Sequence, residues 1–294
     1  GVLHFGVSKK INKKLTVGGR FKIYSSALNL QSKNNTGTFT TTEGDNSIFI
    51  HQLNNIDVNL RTAGVIENNE YIRDPLTYLK NTFFGRNIGI GLDVGFTKKI
   101  SRQLEISGSL LDVGFVKYKE NVKNSFAQGS FSFEGLNFNF LEQNIDHLEL
   151  LDNDFRENVQ FGDNDNSYIA LRPIKFNGSL KYSYKEIRGP SCYYNEDDPK
   201  NFYKHAFGAQ LYSVFRPLGP QLALTGFYET AFTSKIRSKV TYTLDNYSFF
   251  NLGAGISITS GKINFYTLVD NINQFIDIAD TNSLSAQLGI NFIF

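Results

Sequence analysis

Residues Ser283 to Phe294 read S-L-S-A-Q-L-G-I-N-F-I-F. Leu284, Ala286, Leu288, Ile290, Phe292 and Phe294 share one parity, and Ser285, Gln287, Gly289, Asn291 and Ile293 share the other. A period of two is the side-chain spacing of a β-strand with one apolar and one mainly polar face. Residues 87–97 repeat the pattern more cleanly: Ile88, Ile90, Leu92, Val94 and Phe96 alternate with Asn87, Gly89, Gly91, Asp93, Gly95 and Thr97. A chain written this way folds as sheet, so its function depends on what each face meets.

The polar parity carries charge in mid-strand. Arg20 and Lys22 lie opposite Val17, Phe21 and Ile23, and Lys175 and Lys181 lie opposite Phe176, Leu180 and Tyr182. A Lys or Arg on a lipid-facing strand at mid-depth costs about 2–4 kcal/mol. If the apolar parity meets lipid, Arg20, Lys22, Asp93, Lys175 and Lys181 face an interior, where the glycines of 87–97 leave room. The chain's end supports that environment, because Gln287, Gly289, Phe292 and Phe294 match the C-terminal signal of outer-membrane barrels: polar, any, Gly, any, any, aromatic, any, aromatic-stop. The competing reading is the closing strand of a soluble sandwich that ends in Phe.

Composition agrees with strands rather than helices as the spanning elements. The 294 residues are 40% hydrophobic with a mean hydropathy of −0.27, and no apolar run approaches the roughly 20 residues of a transmembrane helix. A strand that alternates lipid-facing and interior-facing side chains dilutes its own average. With no Trp, 27 Phe and 15 Tyr must supply any interfacial aromatic girdle. The single Cys192 excludes an internal disulfide and reads as a surface residue in a polar loop. A net charge of +2 gives no reason to expect nucleic acid.

Two inserts break the alternation. Within 66–85, Asp74-Pro75-Leu76 reads as an N-cap followed by Pro at the first helical position, which predicts a helix over 75–84 with Leu76, Leu79 and Phe83 on one side. Within 134–165, Leu141, Ile145, Leu148, Leu151 and Phe155 recur at three-to-four spacing, which predicts an acidic amphipathic helix over 141–157. The run Gly162-Asp163-Asn164-Asp165-Asn166 lacks the spaced ligands and distal Glu of a calcium loop and reads as a solvated acidic turn.

If the last strand ends in the periplasm, directions count backwards. The turns at 98–102, 234–238 and 259–261 then fall on the periplasmic side and both inserts fall outside. Residues 1–8 run downward and the parity shift within 103–118 predicts a bulge near Gly108. The expected fold is all-β: an antiparallel transmembrane barrel forming a single domain over 1–294, with 11–13 strands visible. Even strand numbers in single-chain barrels then predict upstream strands and about 14 when intact.

The stretches G-V-S-K-K-I-N-K-K-L-T-V-G-G-R-F-K (6–22), I-G-L-D-V-G-F-T-K-K-I-S-R-Q-L-E-I-S-G-S-L-L-D-V-G-F (90–115) and F-F-N-L-G-A-G-I-S-I (249–258) carry a resemblance over most of the chain. It resembles a family of Bacteroidota outer-membrane barrels, similar at a distance to the long-chain fatty-acid transporter (FadL) superfamily and to the PorV-type barrels of type IX secretion. The resemblance implies the bacterial outer membrane, its lipid as surroundings, and the barrel-assembly machinery as a partner of the C-terminal strand. Other outer-membrane proteins or lipoproteins are possible partners. It transfers no ligand residues.

Two functions follow as expectations: passage of a small or hydrophobic solute, or a non-conducting accessory role in an outer-membrane complex with 141–157 and the Tyr193-Tyr194 loop as docking surfaces. An enzyme is not expected. His4, His51, His147 and His205 lie in no catalytic motif, and the chain has no G-x-S-x-G, H-E-x-x-H or paired-cysteine metal site. No cofactor, metal or catalytic residue is therefore assigned.

Overall fold

The computed structural model describes residues 1–44, 48–67, 70–135, 147–186, 203–272 and 285–292. Among the described residues the fold is all-β with two short helices. Its principal sheet has 12 strands. In chain order, β1 (Val2–Asn12), β2 (Leu15–Ser25), β3 (Asn29–Ser32), β4 (Thr36–Glu43), β5 (Phe49–Ala63), β6 (Ile66–Glu67) and β7 (Glu70–Tyr71) precede helix α1 (Pro75–Phe84). Then come β8 (Ile88–Lys99), β9 (Leu104–Tyr118), β10 (Val122–Phe133), α2 (His147–Asn158), β11 (Val159–Asn164) and β12 (Tyr168–Leu171). The last seven strands are β13 (Ile174–Glu186), β14 (Tyr203–Arg216), β15 (Gly219–Ala231), β16 (Ile236–Asp245), β17 (Asn251–Ser260), β18 (Ile263–Asp270) and β19 (Ser285–Phe292).

The principal sheet runs β1-β2-β8-β9-β13-β14-β15-β16-β17-β18-β19, with β12 paired to β9. From β13 onward each strand pairs antiparallel with the next in sequence. This hairpin order is what short polar turns between alternating strands allow. Side chains close the turns: Asn12 Oδ1 accepts the N–H groups of Lys14 and Leu15 at 2.8 and 2.9 Å. Ser101 Oγ serves Gln103 and Leu104, and Thr233 Oγ1 serves Lys235 and Ile236. No ladder joins β1 to β19 among the described residues.

By contacts the chain divides into two compact units. One comprises 1–3, 23–89 and 115–171; the other comprises 4–22, 90–114 and 172–294. In the first, β4, β5, β3, β10 and β11 form a five-stranded sheet. Its core gathers Tyr24, Ala63, Val116, Tyr118, Val122, Tyr168 and Ala170. Tyr118 stacks on Tyr168 at 5.1 Å, Arg61 lies 5.6 Å from the Tyr168 ring centre, and the Tyr168 hydroxyl donates to Asn29 Oδ1 at 2.8 Å. The tyrosines thus bury their rings and keep a polar partner for the hydroxyl, as buried Tyr requires.

Helix α1 matches its expected span. Asp74 accepts from the N–H groups of Leu76 and Thr77 at 3.1 and 3.2 Å, and Pro75 occupies the first turn. The acidic helix is described over His147–Asn158, where Phe155 packs edge-on to Phe131 at 5.0 Å. Residues 141–146, including Leu141, Glu142, Ile145 and Asp146, lie outside the described residues, as do Cys192, Tyr193, Tyr194 and Phe294.

Three local expectations are corrected. Residues 9–12 continue β1, leaving Lys13-Lys14 as the turn. Gly162–Asn164 is not a turn but the end of β11, paired to β10, where Asp163 forms an ion pair with Lys123. The parity of β9 shifts at Asp112 rather than at Gly108. Asp112 has φ of 60° and lies between the segment paired with β13 (Leu104–Leu111) and the segment paired with β12 (Phe115–Tyr118). A left-handed residue inside a strand turns two neighbouring side chains toward one face.

Candidate functional site

The sheet of the second unit is inverted in burial. Along β8, the side chains Ile90, Leu92, Val94 and Phe96 are 43–54% exposed, whereas Asp93 between them is 2% exposed. The neighbouring strands follow suit. Phe207, Leu211 and Phe215 on β14, Leu222, Leu224 and Tyr228 on β15, and Val240, Tyr242 and Leu244 on β16 are exposed. Their alternates Gln210, Thr225, Glu229, Lys239 and Thr243 are less exposed. Large apolar side chains therefore form the outer face, while charge and hydroxyls form the sheltered one.

On the sheltered face a charge network crosses four adjacent strands, β2, β8, β9 and β13. Lys22 Nζ lies 2.9 Å from Asp93 Oδ1 and 2.5 Å from Asp112 Oδ1. Arg20 reaches Asp93 Oδ2 and Lys175 reaches Asp112 Oδ2, each at 2.9 Å. Asp93 Oδ1 also accepts the backbone N–H of Asp112 at 2.8 Å, so the unusual backbone at 112 is held by the network it serves. The aliphatic stem of Arg20 lies where a side chain at Gly6 on β1 would stand; a Cβ there would meet Arg20 Cγ at 2.6 Å. Cations on β2 and β13 flank the carboxylates on β8 and β9 and leave each buried carboxylate with two cations, which offsets the cost of removing it from water.

A second network lies on β13, β15 and β16. Glu229 accepts from Lys181 Nζ at 2.6 Å and lies 3.3 Å from Lys239 Nζ, which in turn sits 4.2 Å from the centre of the Phe227 ring. Lys181 is paired with Gly208 on β14, and Gly208 is paired with Phe227 on β15. Lys181 therefore crosses β14 where that strand has no side chain. A Cβ at 208 would stand 2.1 Å from the Leu180 carbonyl oxygen and 2.6 Å from the Phe227 ring.

A hollow of about 730 Å³ opens beside the first network. Its wall is mixed: small polar residues such as Ser107, Ser109, Asn177 and Ser179, with Arg20 and Asp93, alternate with Val17, Phe96 and Leu111. Its volume lies within the range of small-molecule pockets. No group of three or more His, Cys, Asp or Glu suited to a metal occurs among the described residues.

Of the residues expected on the inner face, Arg20, Lys22, Asp93 and Lys175 come together in one network, and Lys181 belongs to the other. Asp112, Glu229 and Lys239 were not anticipated. A search for carboxylates able to neutralise Lys22, Lys175 and Lys181 would have reached Glu229 by parity alone. It would have missed Asp112, whose parity changes at the left-handed turn. At the chain's end, Gly289 lies opposite Tyr266 on β18, and a Cβ at 289 would stand 2.2 Å from the Tyr266 ring. Gln287 Nε2 donates to the Tyr266 hydroxyl at 3.4 Å, and Phe292 is 64% exposed on the apolar side. Gln287 and Gly289 thus seat one aromatic ring on the polar face.

The histidines do not assemble a catalytic arrangement among the described residues. His205 Nδ1 contacts the hydroxyls of Tyr228 and Thr230, and His51 lies between the rings of Phe39 and Phe133.

A family model described as a family of unknown function, DUF5723, matches residues 1–270. No curated protein matches the chain.

Proposed function

The chain belongs to the DUF5723 family, and we propose that it is a bacterial outer-membrane β-barrel whose polar interior passes a small hydrophilic solute. The observation that carries this reading is the inverted burial of β8, with apolar residues outside and Asp93 at 2% exposure inside. Soluble monomers rarely expose contiguous apolar patches beyond a few hundred Å². Here the apolar face continues from strand to strand, and lipid removes the cost of exposing it. Strand lengths of 12, 13, 14, 13, 10 and 10 residues in β8, β13, β14, β15, β16 and β17 suffice for a tilted strand to cross a bilayer, which takes about 9–11 residues. Outward aromatic and imidazole rings support an interface level at one end. Tyr184 and Tyr228 stack on His205 at 5.3 and 5.9 Å, and Tyr182 lies 5.5 Å from Phe207. No described helix is long and apolar enough to cross a membrane.

The charge network of Arg20, Lys22, Asp93, Asp112 and Lys175 on the sheltered face favours a hydrophilic solute over a lipid-like one. Planar-bilayer recording of the purified full-length protein tests passage directly. Stepwise conductance is expected, and removing the charge of Lys22 with Lys22→Gln is expected to change its ion selectivity. A protein correctly inserted but electrically silent contradicts the transport reading.

A second reading has its own observation. Leu76, Leu79, Phe83 and Phe84 of α1 are 56–83% exposed, a surface suited to holding a partner in an outer-membrane complex. Silence in the bilayer together with stoichiometric co-purification of a partner lost in Leu79→Ser/Phe83→Ser would favour that accessory role.

A further inference from the structure

A second cavity, of about 340 Å³, lies within the same unit but beyond the central network. Lys99, Arg102, Lys181, Lys204 and Arg237 line it, against the carboxylates of Glu105 and Glu229. The two carboxylates do not neutralise the wall. Glu229 is already shared by Lys181 and Lys239, and with Glu105, the register partner of Lys181 on β9, the lining sets two carboxylates against five cations. Lys99, Lys204 and Arg237 have no carboxylate partner within ion-pair distance among the described residues. Ser101 and Ser183 add hydroxyls to the same wall.

The convergence comes from the sheet. Lys99 ends β8 on the parity of Asp93, Lys204 opens β14 on the parity of Gln210, and Arg237 opens β16 on the parity of Lys239. Three strand ends thus bring cations to one end of the polar face. Confined like charges repel one another, and an oxyanion relieves that repulsion. Lysine ammonium groups meet such an anion as point charges, while the planar guanidinium of Arg237 offers paired N–H donors to two oxygens of one group.

We propose that this cavity is a binding site for a phosphate group carried by a small organic molecule, with Lys99, Lys204 and Arg237 as its ligands. The assignment goes beyond the transport reading and does not require it, because binding to the purified protein is independent of whether anything crosses a membrane. The phosphate could be presented by a free phosphorylated solute or by a phospholipid headgroup.

Equilibrium dialysis of labelled glycerol 3-phosphate against the full-length protein in zwitterionic detergent tests the site. Saturable binding is expected, weakened at least about tenfold in Lys204→Gln/Arg237→Gln, because hydrogen bonds to charged groups are worth roughly a factor of ten or more each. It is expected to survive in Lys13→Gln/Lys14→Gln, which removes as much charge outside the cavity. If the double variant does not fold, Lys99→Gln and Lys204→Gln singly carry the same comparison. In phosphatidylcholine vesicles, displacement of the probe by added phosphatidylglycerol identifies a headgroup site, and retention identifies a solute site. Either result supports the assignment. No saturable binding up to about 10 mM, a dissociation constant too weak for a built site, overturns it. So does equal loss in the Lys13/Lys14 control. Separate recovery of folded protein in the outer-membrane fraction would leave the membrane reading standing while this one fell.

Discussion

Asp93 shows how a single side chain organises this sheet. It is almost fully buried, joins Arg20 and Lys22, and accepts the Asp112 N–H. Asp93→Ala leaves Lys22 with Asp112 but strips the shared anion from Arg20 and the acceptor from a left-handed backbone. Breaking a buried pair on one side costs about 3–5 kcal/mol, and the half-exposed Arg20 regains water, so about 3 kcal/mol is expected. Urea titration of the protein refolded in vesicles should show that loss, while Asp93→Asn, which keeps an acceptor, should lose less. The sequence made Asp93 legible because it interrupts a run of apolar and glycine alternates. It concealed Asp112, because a residue's face follows from counting by two only while φ stays negative. Glu229 has the inner parity and lies directly opposite Lys239 in the β15–β16 ladder, so its face is legible from the sequence; its pairing with Lys181 emerges only when β13, β14 and β15 are laid side by side.

The strands themselves were written plainly in the sequence, because alternation specifies both the element and its faces. Their ends were less so. Residues 9–12 stay in β1 since the turn is set by the Asn12 side chain, not by the first lysine. At Gly208 the sheet depends on the absence of a side chain. Gly208→Ala would press on the Leu180 carbonyl and the Phe227 ring, and overpacking of this kind costs about 1–3 kcal/mol. A lower urea midpoint, with the Lys181–Glu229 contact weakened, is the expected result. Helix α1 was readable from three consecutive residues, and its cap makes a pH prediction. The N–H of Leu76, followed by the Thr77 side chain, holds the Asp74 carboxyl below its ordinary value of 3.8. Its contribution is therefore present above 3.8 and lost as the pH falls through the lower folded value. Hydrogen exchange over 75–84, compared between wild type and Asp74→Ala at equal pH, should differ at pH 6, and the difference should shrink as the pH drops below 3.8.

At the scale of the whole molecule, one rule accounts for most of the architecture: apolar residues line the outside of the principal sheet's second unit and paired charges line its sheltered face. Period two was visible in the sequence, but the sequence alone did not reveal which charges pair or that a basic cavity forms where three strands end. The central claim is that the outer face meets lipid. Spin labels placed singly at residues 90–96 of β8, in a Cys192→Ser background and in phospholipid vesicles, test it most directly. Collision with oxygen, which concentrates in lipid, should peak at 90, 92, 94 and 96, and collision with a water-soluble nickel complex should be low there. If the nickel complex reaches 90, 92, 94 and 96 as freely as a loop position such as 73, the apolar face meets water and the account is wrong.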